Sequence, residues 1–126
     1  MASDNPSDVR GAHVDVSVVD DVTVIAVSGV VDMLSAPDLT ETVAGALAAR
    51  PAALLIDLTK LDFLASAGLE VLVKAHRQAE GHTRLAVAAD GPATSRPIKI
   101  TQVDQFVPLY ATAPDAINAL RAPTDR

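Results

Sequence analysis

The chain has 126 residues, a formal net charge of −6, 49% hydrophobic residues and three aromatic ones, Phe63, Phe106 and Tyr110. This length fits one domain and is too short for two ordinary ones. Without Cys there is no disulfide scaffold, cysteine zinc site, iron–sulfur ligation or thiol nucleophile. Acidity and few aromatic rings argue against nucleic acid, which needs basic residues on phosphates and rings on bases.

No uncharged apolar stretch approaches about 18 residues, so no membrane span is expected. Met1 to Gly11 lacks the apolar run of a signal peptide. A cytoplasmic domain is therefore expected, with no cofactor and no contact with membrane. Residues 1–12 are rich in Ser, Asp, Asn and Pro and are expected to be disordered. Residues 13–121 form the domain, and 122–126 a polar tail.

Residues 13–19 alternate as His-Val-Asp-Val-Ser-Val-Val, the period of a strand with one buried face. Asp20-Asp21 then reads as a turn, and residues 22–28 as a second strand, giving an antiparallel hairpin. Ser35-Ala36-Pro37-Asp38 is a helix start, with Ser35 as N-cap and an acid at the third helical position. Leu39, Val43 and Leu47 continue it as one apolar stripe that ends near Arg50-Pro51. Residues 53–58 are a continuous apolar run with one acid, the pattern of a strand covered on both faces.

A second helix is expected from Ser66 to about Gly81, with Leu69, Leu72, Val73 and His76 at helical spacing. Gly81 suits the position after its end. Residues 84–89 read as a strand, 93–103 as a helix limited by Pro97, and 107–111 as a last short strand. Thr112-Ala113-Pro114-Asp115 repeats the earlier helix start before Ile117 and Leu120. Strands that alternate with helices imply parallel crossovers, with function at the carboxyl ends of the strands.

The most distinctive segment runs Asp57-Leu58-Thr59-Lys60-Leu61-Asp62-Phe63-Leu64-Ala65-Ser66-Ala67-Gly68-Leu69. It is a buried strand, a polar turn and an apolar pair, followed by Ser and Gly at the start of a helix. It resembles the STAS domain of anti-sigma-factor antagonists, in which Asp-Ser-Ser/Thr-Gly-Leu opens a helix. Gly29-Val30-Val31-Asp32 is similar to the family's Gly-Glu-Leu-Asp before the first helix. The element order agrees from about residue 13 to 120. The resemblance implies an α/β fold with a largely parallel mixed sheet, an antiparallel N-terminal hairpin and four helices.

The resemblance also implies a bacterial transcription regulator that works by protein–protein binding and not by catalysis. Such an antagonist binds an anti-sigma factor, often a serine kinase of histidine-kinase-like fold, and so frees a sigma factor. The kinase phosphorylates the antagonist at the helix start, and a phosphatase resets it. Partner-binding residues carried over by position are Asp32, Phe63, Leu64, Ala65, Ser66, Ala67, Gly68 and Leu69. The chain departs from the family pattern at three of the compared positions. The usual acceptor, directly before Gly, is Ala67; the family Asp is Ala65; and Val30 stands for Glu. Ser66 is the remaining phosphorylation candidate.

Plainer readings stand beside these. Ser66 can be an N-cap whose hydroxyl bonds a backbone N–H, worth about 1 kcal/mol. Asp32 can solvate the approach to the first helix. Asp57 at a strand end is more often a carboxylate that fixes a loop, and Thr59 is a weak second acceptor. His76 fits a core histidine, His13, His76 and His82 lack metal spacing, and residues 96–99 read as a solvated helix start. Two other functions remain open. One is a STAS scaffold or transport-associated module without phosphorylation. The other is a receiver-like domain with Asp20-Asp21 and Asp57 as phosphoacceptor, which would need a helix where residues 22–28 have strand character.

Overall fold

The computed structural model describes residues 8–9 and 11–122. Its sheet has six strands in sequential order: β1 (Asp8–Val9), β2 (Ala12–Val19), β3 (Val22–Val31), β4 (Ala53–Leu64), β5 (Arg84–Ala88) and β6 (Leu109–Tyr110). The pairs β1–β2 and β2–β3 are antiparallel; β3–β4, β4–β5 and β5–β6 are parallel. The helices are α1 (Ala36–Ala48), α2 (Ser66–Ala79), α3 (Ser95–Ile100) and α4 (Ala113–Arg121), with a 3₁₀ turn at Val103–Gln105.

Two cores hold the layers together. Ile25, Val27, Leu54, Ile56 and Val87 point from the sheet toward Leu39, Val43 and Leu47 of α1 and Val71, Leu72 and Ala75 of α2. The alternate residues Val22, Val24, Leu55, Ala86 and Ala88 meet Ala116 and Leu120 of α4 on the other face. Strand β4 is thus buried on both sides, which explains its nearly continuous apolar run. The hairpin turn is also as expected. Asp20 and Asp21 have φ of 51° and 69°, the left-handed pair of a type I′ turn.

Several boundaries differ from the sequence reading. Asp8 and Val9 pair with His13 and Ala12, inside the stretch expected to be disordered. The rest of that stretch, residues 1–7 and 10, and tail residues 123–126 lie outside the described residues. Strand β4 does not stop at Leu58 but runs to Leu64, because β3 also continues and pairs with it as far as Val31–Leu64. Two register shifts absorb the polar residues expected to form a turn. The expected helix over 93–103 is split, since Gln102 has φ 65° and separates α3 from the 3₁₀ turn. Within the expected solvated helix start, Ile98 is buried. The last strand shrinks to two residues.

Candidate functional site

The two segments singled out in the sequence meet at one end of the sheet. Val30 pairs with Phe63 and Val31 with Leu64, so both strands end side by side. From there β3 turns into α1 and β4 passes directly into α2. The N–H of Ala65 donates to the Val31 carbonyl oxygen at 2.8 Å. Gly68 is buried in the first turn of α2. A Cβ there would overlap Leu64 Cδ1 and lie 2.9 Å from Val31 Cγ1. Gly is needed for close approach here and not for a special φ.

Ser66 is not the N-cap. Ala65 holds that position with extended backbone (φ −82°, ψ 173°), and Ser66 is the first residue of α2. Among the described residues, no hydrogen bond engages its exposed hydroxyl. The first backbone N–H groups of a helix lack intrahelical acceptors and carry the positive end of its dipole. Ser66 therefore presents a hydroxyl to solvent at a position that tolerates added negative charge. Leu69 and Ala67 are partly buried against the core, Leu64 is buried, and Phe63 is 51% exposed.

Asp32 works on the backbone of its own turn. Its Oδ1 accepts from the N–H of Leu34 at 2.9 Å and of Ser35 at 3.1 Å. These two N–H groups, Ser35 first, hold the carboxyl below its ordinary pKa, against a smaller opposing effect of desolvation. Ser35 was expected to cap α1 through its side chain, but its backbone is αR and its hydroxyl caps nothing. That hydroxyl instead donates to the Val30 carbonyl at 2.9 Å and accepts from the Asp32 N–H at 3.0 Å. The polar residues before α1 therefore build a locked turn. Thr112 does cap α4, accepting from the Asp115 N–H at 3.1 Å.

That turn carries two residues the sequence reading missed. Met33 is 77% and Leu34 59% exposed. Their signal was an apolar pair placed between a strand end and a helix start, where turn residues are usually polar. Met33 also borders a groove between α1 and α2, with Pro37, Glu41, Ala67, Glu70 and Lys74 among its lining.

The remaining candidates separate from this end. Asp57 Oδ1 accepts from the N–H of Thr59 at 3.0 Å and from its hydroxyl at 2.7 Å, so the pair fixes the irregular part of β4. Asp57 pairs with Ala26, five residues beyond Asp21, which puts the acids roughly 16 Å apart at 3.3 Å per residue. With β3 in place of a helix, the receiver-like arrangement is not formed. His76 is half-buried and not in the core; its ring tilts against Phe106 at 5.8 Å and lies 3.7 Å from the Glu80 carboxylate. Among the described residues, no group of three or more His, Asp or Glu could hold a metal ion, and no helix is long and apolar enough to cross a membrane.

An antiparallel hairpin opening a parallel sheet with helices on both faces defines a small mixed α/β domain, and exposed apolar residues gather at one end of it. The profile of the STAS domain family matches residues 13–116, and the chain belongs to that family. It is 33% identical over 100 residues to the anti-sigma-F factor antagonist RsfB of Mycobacterium tuberculosis, covering 79% of this chain and 82% of that protein. The crystal structure of an anti-sigma factor antagonist from Mycobacterium paratuberculosis superposes with a TM-score of 0.85 at 40% identity, covering 88% of this chain and 95% of that one. The unphosphorylated form of the anti-sigma factor antagonist SpoIIAA shares the fold, with a TM-score of 0.72 at 16% identity, covering 89% and 99% of the two chains.

Proposed function

We propose that the chain is a cytoplasmic bacterial anti-sigma-factor antagonist that acts by binding and not by catalysis. It binds an anti-sigma factor, a serine kinase of histidine-kinase-like fold, and so releases a sigma factor for transcription. Phosphorylation at Ser66 ends the contact, and a phosphatase restores it. The similarity to RsfB and to the mycobacterial antagonist structure supports the partner class.

One observation carries the switch: Ser66 begins α2 with an exposed, uncommitted hydroxyl, beside a strand end that presents Phe63. In the transfer, Ser66 Oγ bonds to the γ-phosphorus of the kinase's ATP and the bond to the β-phosphate oxygen breaks. ADP leaves, and the hydroxyl proton passes to a base of the kinase. Among the described residues, no side chain hydrogen-bonds the Ser66 hydroxyl to serve as that base. The product adds about −1.5 to −2 charges at a helix start, where the fold tolerates them. The same charge forced into an apolar contact loses its hydration without compensation.

Incubation with the anti-sigma factor of the same organism and ATP tests this reading. Phosphate on the wild type and none on Ser66→Ala is the expected result. Binding without phosphate would leave an antagonist lacking this switch, in line with Ala67 at the family's usual acceptor position. If no anti-sigma factor of that organism binds, the antagonist reading falls and a scaffold or transport-associated role takes its place.

A further inference from the structure

We infer that Met33 and Leu34 are the anchor of the partner contact, that Asp32 is the positioning residue that aims them, and that they enter an apolar cleft bordered by Lys or Arg. The inference rests on the antagonist reading and adds how its partner is recognised.

Met33 and Leu34 contribute little to the fold. The core positions around them belong to Val31, Ala36 and Leu39, while both side chains stand largely in water. Their backbone is nevertheless fixed. Asp32 Oδ1 holds the N–H groups of Leu34 and Ser35, the Ser35 hydroxyl ties the Asp32 N–H to the Val30 carbonyl, and the Ala36 N–H bonds the Asp32 carbonyl at 2.8 Å. A turn whose backbone is already fixed adds little backbone-ordering cost when its exposed side chains dock. Met adds an adaptable side chain that can fill an irregular cleft. Interface energy concentrates in such desolvated anchors more than in their rim.

Charge specifies the cleft's border. Exposed Asp38 and Glu41 lie on α1, Asp62 near the end of β4 and Glu70 on α2. Among the described residues that line the α1–α2 groove, Lys74 is the one basic side chain. A partner with basic residues around its cleft gains in encounter rate and in discrimination against other surfaces.

Calorimetric titration of the purified anti-sigma factor of the same organism into the wild type and four variants tests the anchor. Met33→Ser/Leu34→Ser should weaken binding about 30-fold or more, the range of an interface hot spot, with an unchanged melting temperature. Asp32→Ala should also weaken it, and Asp32→Asn, whose amide oxygen accepts the same two N–H groups, should restore most of the affinity. Val16→Ser/Val18→Ser, an equally exposed pair on β2, should bind as the wild type does. Wild-type binding with Met33→Ser/Leu34→Ser within threefold of it overturns the anchor and leaves the antagonist reading standing. Equal losses in the two serine pairs overturn it as well. No binding by the wild type removes the antagonist reading, and the anchor falls with it.

Discussion

The Val31 carbonyl oxygen accepts a hydrogen bond from the Ala65 N–H at 2.8 Å, joining the end of one motif to the start of the other. The bond continues the β3–β4 ladder by one residue, past the Val31–Leu64 pair, into the helix start. A parallel pair of strands that end together can hand their chains to two helices on the same face. That is how α1 and α2 come to flank one groove. The site's geometry is therefore a consequence of sheet register, and a change at the register's tightest points should disturb both folding and recognition.

Gly68 is one such point. An added Cβ would meet Leu64 Cδ1, the end of a flexible side chain, and Val31 Cγ1, on a stiff β-branched one. Gly68→Ala is expected to cost about 1–3 kcal/mol, the usual range for overpacking, and Gly68→Val more. Urea denaturation measures both. Leu64→Ala combined with Gly68→Ala should recover part of the loss, since the smaller residue 64 makes room. A purely additive double variant would show that the contact is not what Gly68 serves.

Gly29 is the stricter case. Its φ is +90°, and an added Cβ would overlap the Gly11 carbonyl oxygen, a backbone atom that already accepts from the Val30 N–H at 2.9 Å. Both the left-handed conformation and the clash oppose substitution, and no side chain can rotate away. Gly29→Ala should therefore destabilise by more than Gly68→Ala, at about 3 kcal/mol or above. If the two midpoints fall together, the Gly11 approach is softer than its geometry implies.

The layers were legible in the sequence because each strand or helix buries one periodic face. Residues 22–28 and 53–58 read as strands, and Leu39, Val43 and Leu47 as a helical stripe, before any packing is considered. Other features were decided by partners distant in sequence. Strand β4 reaches Leu64 only because β3 offers it a continued edge, and Asp8–Val9 is a strand only because β2 lies beside it. At the site, Ser66 was visible as a helix-start hydroxyl, but its local pattern could not separate the N-cap from the first helical residue. Ser35 shows the same ambiguity, since its hydroxyl turns back to the Val30 carbonyl and the Asp32 N–H instead of capping α1. Met33 and Leu34 escaped notice because a short apolar pair carries no period.

Asp32 makes a pH signature. Its two N–H donors stabilise the carboxylate, so its folded-state pKa lies below the unfolded value of about 3.9. The resulting stability is fully present above about pH 4 and is lost as pH falls through the lower folded value. The wild type should exceed Asp32→Asn in denaturation midpoint at neutral pH, and this gap should close only in strong acid. A gap constant from neutral to strongly acidic pH would show that the carboxylate's charge plays no part in the turn.

Ser66→Glu separates an interface effect from an effect on the fold. Since the Ser66 hydroxyl makes no cap bond, Ser66→Ala should lose less than the roughly 1 kcal/mol of a capping residue. Ser66→Glu places an acid in the first turn of α2, which has none, and there the helix dipole favours it by about 0.3–1 kcal/mol. Its melting temperature should therefore stay close to that of the wild type, while affinity for the anti-sigma factor falls. A large drop in melting temperature would show that binding is lost through unfolding. Unchanged affinity in a fully folded Ser66→Glu would show that negative charge at this position does not reach the interface, and the phosphate switch would have to be sought elsewhere.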